Sequence, residues 1–232
     1  MFALREIHQI EITSRCNLKC VYCPSYKLPR PKVDMAWDDF RQALDWALYF
    51  QRAGTQGELN LAGIGESTLH PRFVEMLTEA RRVLGLKQKL LFATNGLLIT
   101  EAMAVAIKPL APAVFVSMHR PEKAGPAAHI LHRHGLLAGI SQDPALQSTD
   151  WAGQVKWEVT VQKGRPCSWV RGGKAFVLAD GRISRCAFDA SGIGVFATIR
   201  DDLTKFQTSP YALCITCDQD VGVPIPKAEA VT

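Results

Sequence analysis

The chain has 232 residues, 47% of them hydrophobic and 21% charged, with seven cysteines and a formal net charge of +5. That length and balance suit one globular domain with room for a small appendage. No apolar run reaches the roughly 18 residues of a spanning helix, and no charged segment leads into an apolar one at the start, so no membrane helix or secretory leader is indicated and a cytoplasmic protein without a membrane partner is the expectation. The odd cysteine count and clustered spacing point to metal rather than disulfides.

Residues 6–13 place apolar Ile7 (or Ile10) and Ile12 among polar neighbours, the pattern of a strand, and run into Cys16-Asn17-Leu18-Lys19-Cys20-Val21-Tyr22-Cys23. Residues 26–32 contain Pro29 and Pro31 and are too proline-rich for a helix. Asp34 is expected to cap a helix with the apolar face Trp37, Phe40, Leu44, Ala47 and Leu48. A second strand, 58–62, enters Gly63-Ile64-Gly65-Glu66. Pro71 then opens a helix in which Phe73, Met76, Leu77, Ala80 and Leu84 recur at helical spacing.

A third strand, 89–93, runs into Thr94-Asn95-Gly96, after which Thr100 caps a helix that Pro109 stops. Residues 113–117 form a fourth strand leading into Met118-His119-Arg120-Pro121. A helical segment over 124–134, a weaker strand over 136–140 and a sixth strand over 154–161 follow. Strands alternating with helices at this pitch indicate βα units and a parallel sheet. About six units fit, too few for a closed eight-fold barrel.

The cysteines at C-x3-C-x2-C spacing carry the chemistry. A cubane iron–sulfur cluster has four irons, and three local thiolates leave one of them open to an exogenous ligand. The competing reading is a structural zinc site, which closes with four ligands and finds no fourth nearby. The spacing, the Asn-Leu-Lys filler and the aromatic Tyr22 before Cys23 resemble the radical S-adenosylmethionine (SAM) superfamily. That resemblance implies a partial (βα)6 TIM-like barrel with its active site at the carboxyl ends of the strands. It also implies that Cys16, Cys20 and Cys23 hold a catalytic [4Fe–4S] cluster whose open iron SAM chelates. Reductive cleavage of SAM then yields a 5′-deoxyadenosyl radical, with the electron coming from a flavodoxin- or ferredoxin-type reductant.

Gly63, Gly65 and Glu66 resemble the family's glycine-rich SAM-binding stretch, although Ile64 splits the glycines and Ser67 stands where proline is common. Thr94 and Asn95 match a recurrent element on the SAM side. Ser117 takes a position that in relatives meets SAM, with His119 beside it, and Tyr22 completes the cofactor-binding set. Read without the resemblance, these are ordinary turns and loop polar groups. His129, His132 and His134 do not share one helical face and read as a solvated helix end.

The four remaining cysteines are Cys167, Cys186, Cys214 and Cys217. Between the first two, residues 176–186 read as a hairpin with Asp180-Gly181 at its tip. This resembles the twitch appendage, the short form of the SPASM domain, and implies a second, fully ligated [4Fe–4S] cluster that moves electrons. A four-cysteine zinc ribbon is the alternative. The expected organisation is a barrel over 1–162, a small hairpin-and-helix auxiliary subdomain over 163–220 and a tail over 221–232.

Lys27, Arg30 and Lys32 follow the catalytic loop, Arg120 and Lys123 follow the fourth strand, and Lys163, Arg165, Arg171 and Lys174 border the auxiliary segment. They favour a small polar or anionic substrate, with Lys27, Arg30 and Arg120 as its candidate contacts. Two bound clusters would lower the net charge to about +2, so the bulk charge alone says little about nucleic acid. The leading expectation is dehydrogenase-like oxidation or rearrangement of a small molecule. The alternatives are isomerisation of a modified DNA base as in phage hypermodification, peptide modification, and a non-catalytic electron-transfer protein.

Overall fold

The computed structural model describes residues 1–141, 151–156, 165–217, 219–220 and 222. Its centre is an eight-stranded sheet. Strands β2 (Glu6–Ile10), β3 (Leu59–Asn60), β4 (Leu90–Thr94), β5 (Ala113–Ser117) and β6 (Leu137–Ser141) lie side by side and parallel. Helices α1 (Trp37–Arg52), α2 (Phe73–Leu84), α3 (Glu101–Ile107) and α4 (Pro121–Arg133) connect them. Among the described residues the sheet is open rather than closed.

The helix faces follow the apolar spacing. Phe40, Leu44 and Ala47 of α1 and Phe73, Met76, Leu77, Ala80 and Leu84 of α2 are buried against the strands. The Thr100 hydroxyl accepts from the Met103 amide at 3.2 Å and starts α3, as the sequence predicts. Asp34 does not cap α1; the N-cap is Ala36, without a side-chain bond. Asp34 instead accepts from the Thr13 hydroxyl at 2.7 Å and pairs with Arg15, fastening the return of the cysteine loop to the end of β2. His134 pairs with Glu101 of α3 at 2.6 Å, which accounts for the last of the three histidines.

The sequence-predicted strand over 154–161 falls largely on residues 157–161, which lie outside the described residues; residues 154–156 are not strand. Outside the main sheet, the short strand β1 (Phe2–Ala3) pairs antiparallel with Gln207–Thr208 and strand β7 (Arg165–Pro166) pairs in parallel with Gln219–Asp220, and the one-turn helix α5 (Ser168–Arg171) follows β7. The expected hairpin is present as β8 (Lys174–Val177) and β9 (Arg182–Ser184), with Gly181 at φ 79° in its turn. It does not stand apart from the barrel strands: β8 pairs in parallel with the free edge of β2, and β9 is followed by β10 (Val195–Thr198). The main apolar core runs through this junction, from Ile7 and Ile10 to Ala175, Val177, Ile183 and Ile199. Because β8 runs parallel to β2, its exit at Ala179 meets Glu11 just after β2, and the loop after β9 returns to the same place, where the Ala190 carbonyl accepts from Arg30.

Candidate active site

Cys16, Cys20 and Cys23 are free thiols at the carboxyl end of β2 and line one cavity of about 270 Å³. The carboxyl ends of the next strands complete it. Gly63, Gly65 and Glu66 follow β3, Thr94 and Asn95 close β4, and Ser117 and His119 close β5. Tyr22 lines the same cavity, with its hydroxyl 2.6 Å from His119 Nδ1. Each residue expected to meet the cofactor therefore faces the space beside the three thiols. Burial lowers the pKa of His119, which favours the neutral imidazole.

The polar network explains how the loops hold their shape. Glu66 is 3% exposed, and its carboxylate is committed within the protein. Oε1 accepts from the Thr68 and Thr94 hydroxyls at 2.6 and 2.8 Å, and Oε2 accepts from the Asn95 amide at 2.7 Å. The Asn95 side chain donates to Asn17 Oδ1 at 2.7 Å, tying the β4 end to the cysteine loop. Glu66 is thus a positioning group for Thr94 and Asn95, with three donors on Oε1, the Thr68 amide included, and one on Oε2.

A Cβ on Gly63 would strike the Glu11 side chain, and one on Gly65 would strike the carbonyls of Thr13 and Arg15. Close approach of this loop to the segment that follows β2 leaves no room for a side chain there. Ser67, where the family pattern has proline, donates its hydroxyl to the Leu61 carbonyl at 2.7 Å.

Arg30 is not positioned as a substrate contact. It is 6% exposed and pairs through Nη2 with both oxygens of Glu11 at 2.8 Å, while Nε donates to the Ala190 carbonyl. Glu11 also accepts from the amides of Ile64 and Ala179 at 3.0 Å, so this buried pair joins the cysteine loop, the glycine loop and the exit of β8. Lys174, also counted among the basic residues, is bound to Glu6 at 3.0 Å. Lys27 lines a second groove of about 670 Å³ on the outer side of the cysteine loop, with Lys156 across from it. Arg120 and Lys123 are exposed beside His119. The side chains of Lys163 and Arg165 lie outside the described residues.

The other four cysteines, Cys167, Cys186, Cys214 and Cys217, surround a small apolar cavity with Ala152, Trp169 and Tyr211. Trp151, which the sequence did not single out, forms part of the wall of the catalytic cavity and packs edge-on against Phe188 at 5.6 Å. The Phe188 amide donates to Cys186 Sγ at 3.3 Å. Trp151 and Phe188 thereby connect the two cysteine sites.

Among the described residues no three His, Cys, Asp or Glu side chains converge as a single ion requires. Three cysteine thiols are the donor set of a cubane with one open iron. Burial raises the Cys16 thiol and pushes Cys23 up to about 11; at the second site it raises Cys186 and Cys214. Thiols in that state are protonated until a bound cation stabilises the thiolate.

Comparison with known proteins agrees with this geometry. The Radical SAM superfamily model matches residues 10–162. A curated relative from Pyrococcus furiosus, a tungsten-containing aldehyde ferredoxin oxidoreductase cofactor-modifying protein, is 33% identical over 138 residues, 58% of this chain. The match spans 35% of that relative's length. BtrN in complex with AdoMet and 2-DOIA superposes with a TM-score of 0.71 at 17% identity, covering 88% of this chain and 85% of BtrN. The anSMEcpe structure with bound AdoMet gives 0.60 at 16% identity, over 91% and 85%. Streptococcus suis SuiB bound to the precursor peptide SuiA gives 0.60 at 14%, over 87% and 64%. These three share the fold. The family match covers well over half of the residues and includes the three-cysteine loop and every strand end around the cavity: the chain belongs to the radical SAM superfamily, whose members use SAM and a [4Fe–4S] cluster.

Proposed function

We propose that this protein is a radical SAM enzyme with two [4Fe–4S] clusters that acts on a small polar, anionic molecule. Cys16, Cys20 and Cys23 would hold the catalytic cluster, and Cys167, Cys186, Cys214 and Cys217 the auxiliary one. The observation that carries the reading is the pairing of two cysteine sites, one with three thiols on the strand-end cavity that Glu66, Thr94, Asn95, Ser117 and His119 also line, and one with four around an apolar cavity. When bound, the reduced cluster and SAM together supply a 5′-deoxyadenosyl radical able to take a hydrogen atom from substrate.

The chain's own residues supply position and shielding. The Glu66 network fixes Thr94 and Asn95 at the cavity, and Asn95 fixes the cysteine loop through Asn17. Ser117 and the Tyr22–His119 pair offer the polar contacts for SAM or substrate. Trp151 walls the cavity on the side of the second cysteine site. A four-thiol cluster has no open iron, which suits electron transfer, and oxidation of a substrate radical needs an acceptor for one electron. The likeness in fold to BtrN and the named cofactor-modifying role of the Pyrococcus relative are in keeping with a small polar substrate.

A second reading is favoured by Arg120 and Lys123, which are exposed beside the cavity and carry no ion pair among the described residues. They suit phosphate, and hence a modified base flipped out of DNA into the cavity. The test is 5′-deoxyadenosine formation by the anaerobically reconstituted protein with reductant, SAM and separate pools of anionic metabolites, peptides and DNA. Stimulation by the metabolite pool supports the first reading. Stimulation by DNA that is lost after digestion to nucleosides replaces it with the second.

A further inference from the structure

Two buried polar groups at the four-cysteine site lack partners. Tyr211 is 8% exposed and lines the apolar cavity together with Cys186, and its hydroxyl has no hydrogen-bond partner. Its ring is fixed on both sides. A Cβ on Gly194 would strike it, and the Arg185 guanidinium lies 5.8 Å from its centroid. The Arg185 Nε is also buried and unpartnered, although Nη1 donates to the Gly194 carbonyl at 3.1 Å. Arg185 is held between the rings of Tyr211 and Phe196 and immediately precedes Cys186 in the chain. Leaving a buried donor unmatched is costly, and native proteins seldom do so without a ligand or a function at the site.

We propose that Tyr211 and Arg185 are positioning residues that set the redox poise of the auxiliary cluster, Tyr211 by donating a hydrogen bond to the Cys186 sulfur and Arg185 by placing a cation beside it. The inference rests on the reading that the four cysteines hold a [4Fe–4S] cluster. Its physical basis is that a reduced cluster is more negative than an oxidised one. Donors and positive charge at its sulfurs stabilise the reduced form and raise its reduction potential. Such a site is a better acceptor of the electron that a substrate radical must lose. An apolar four-thiol cavity without these donors would disfavour the extra charge.

The test uses the full chain carrying Cys16→Ala, Cys20→Ala and Cys23→Ala, which leaves the four-cysteine site as the only one able to bind a cluster. Iron content and the electron paramagnetic resonance signal of the reduced protein establish loading. A potentiometric titration of that signal then gives the potential with Tyr211, with Tyr211→Phe, with Arg185→Met and with Arg185→Lys. The expected result is full loading throughout and a more negative potential in Tyr211→Phe and Arg185→Met. Arg185→Lys, which keeps the charge, should return part of the shift. Equal potentials in loaded wild-type and Tyr211→Phe backgrounds would overturn the inference. Failure of the triple-alanine background to bind any iron would overturn the two-cluster reading itself, a separate outcome.

Discussion

The Asn95 backbone amide donates to Glu66 Oε2 at 2.7 Å, joining the chain after β3 to the end of β4 inside the catalytic cavity. These residues belong to two stretches that the sequence offered separately, and the bond makes them one unit. With Glu66→Ala, the Thr94 hydroxyl and Asn95 amide lose a charged acceptor in a buried setting. We expect about 3 kcal/mol of lost stability by urea unfolding, and about 1–2 kcal/mol for Glu66→Gln. SAM affinity should fall in both variants, since the loop that carries Asn17 and the cysteines is tethered through Asn95.

Arg30 and Glu11 yield a prediction that separates structure from substrate recognition. Arg30→Met leaves the Glu11 carboxylate buried at 1% exposure without its cation. The expected cost is about 3–5 kcal/mol in urea unfolding. The double variant Glu11→Met with Arg30→Met should recover most of that loss. A stable Arg30→Met protein with weakened substrate binding alone would show that Arg30 contacts substrate after all.

Glu6 predicts an acid-sensitive seam between β2 and β8. Burial alone would raise its pKa, but hydrogen bonds from His8 and Lys174, the Lys174 charge and the Gly57 amide outweigh it and hold the carboxyl at about 2. A depressed folded-state pKa means the contribution to stability is complete above the ordinary value of 4.5 and is lost as pH falls towards 2. Urea midpoints measured from about pH 6 down to pH 3 should fall more steeply for the wild type than for Glu6→Gln. Parallel curves would remove Glu6 from the account.

Cys186→Ala tests the second site. The variant should retain about half of the wild-type iron, since one of two cubanes is lost. It should still form 5′-deoxyadenosine while losing product. Normal iron content together with normal product yield would contradict both the second cluster and its electron-transfer role.

Much of the site was legible because its residues sit at strand ends, where periodicity stops and short polar motifs begin. Cys16 to Cys23, Thr94-Asn95 and Ser117 each close a strand whose apolar pattern is clear, so topology brings them together. The Asp180-Gly181 turn likewise gave the hairpin. What sequence could not show was pairing across long separations. That β8 pairs with β2, and that Arg30 reaches Glu11 and Ala190, depend on tertiary packing, so Arg30 read as one more loop cation. Gly63 and Gly65 resembled a SAM-binding stretch, and only the fold reveals that their neighbours include Glu11 and the Thr13 and Arg15 carbonyls. Trp151 belongs to no motif, and its left-handed φ of 57° follows no glycine or asparagine signal at that position.

The most direct measurement of the central claim is 5′-deoxyadenosine formed from SAM by the anaerobically reconstituted, dithionite-reduced protein, wild type beside Cys20→Ala. The account predicts SAM-dependent formation in the wild type and its loss in the variant. Undiminished formation in Cys20→Ala, or none in an iron-loaded wild type under any of the three substrate pools, would contradict it.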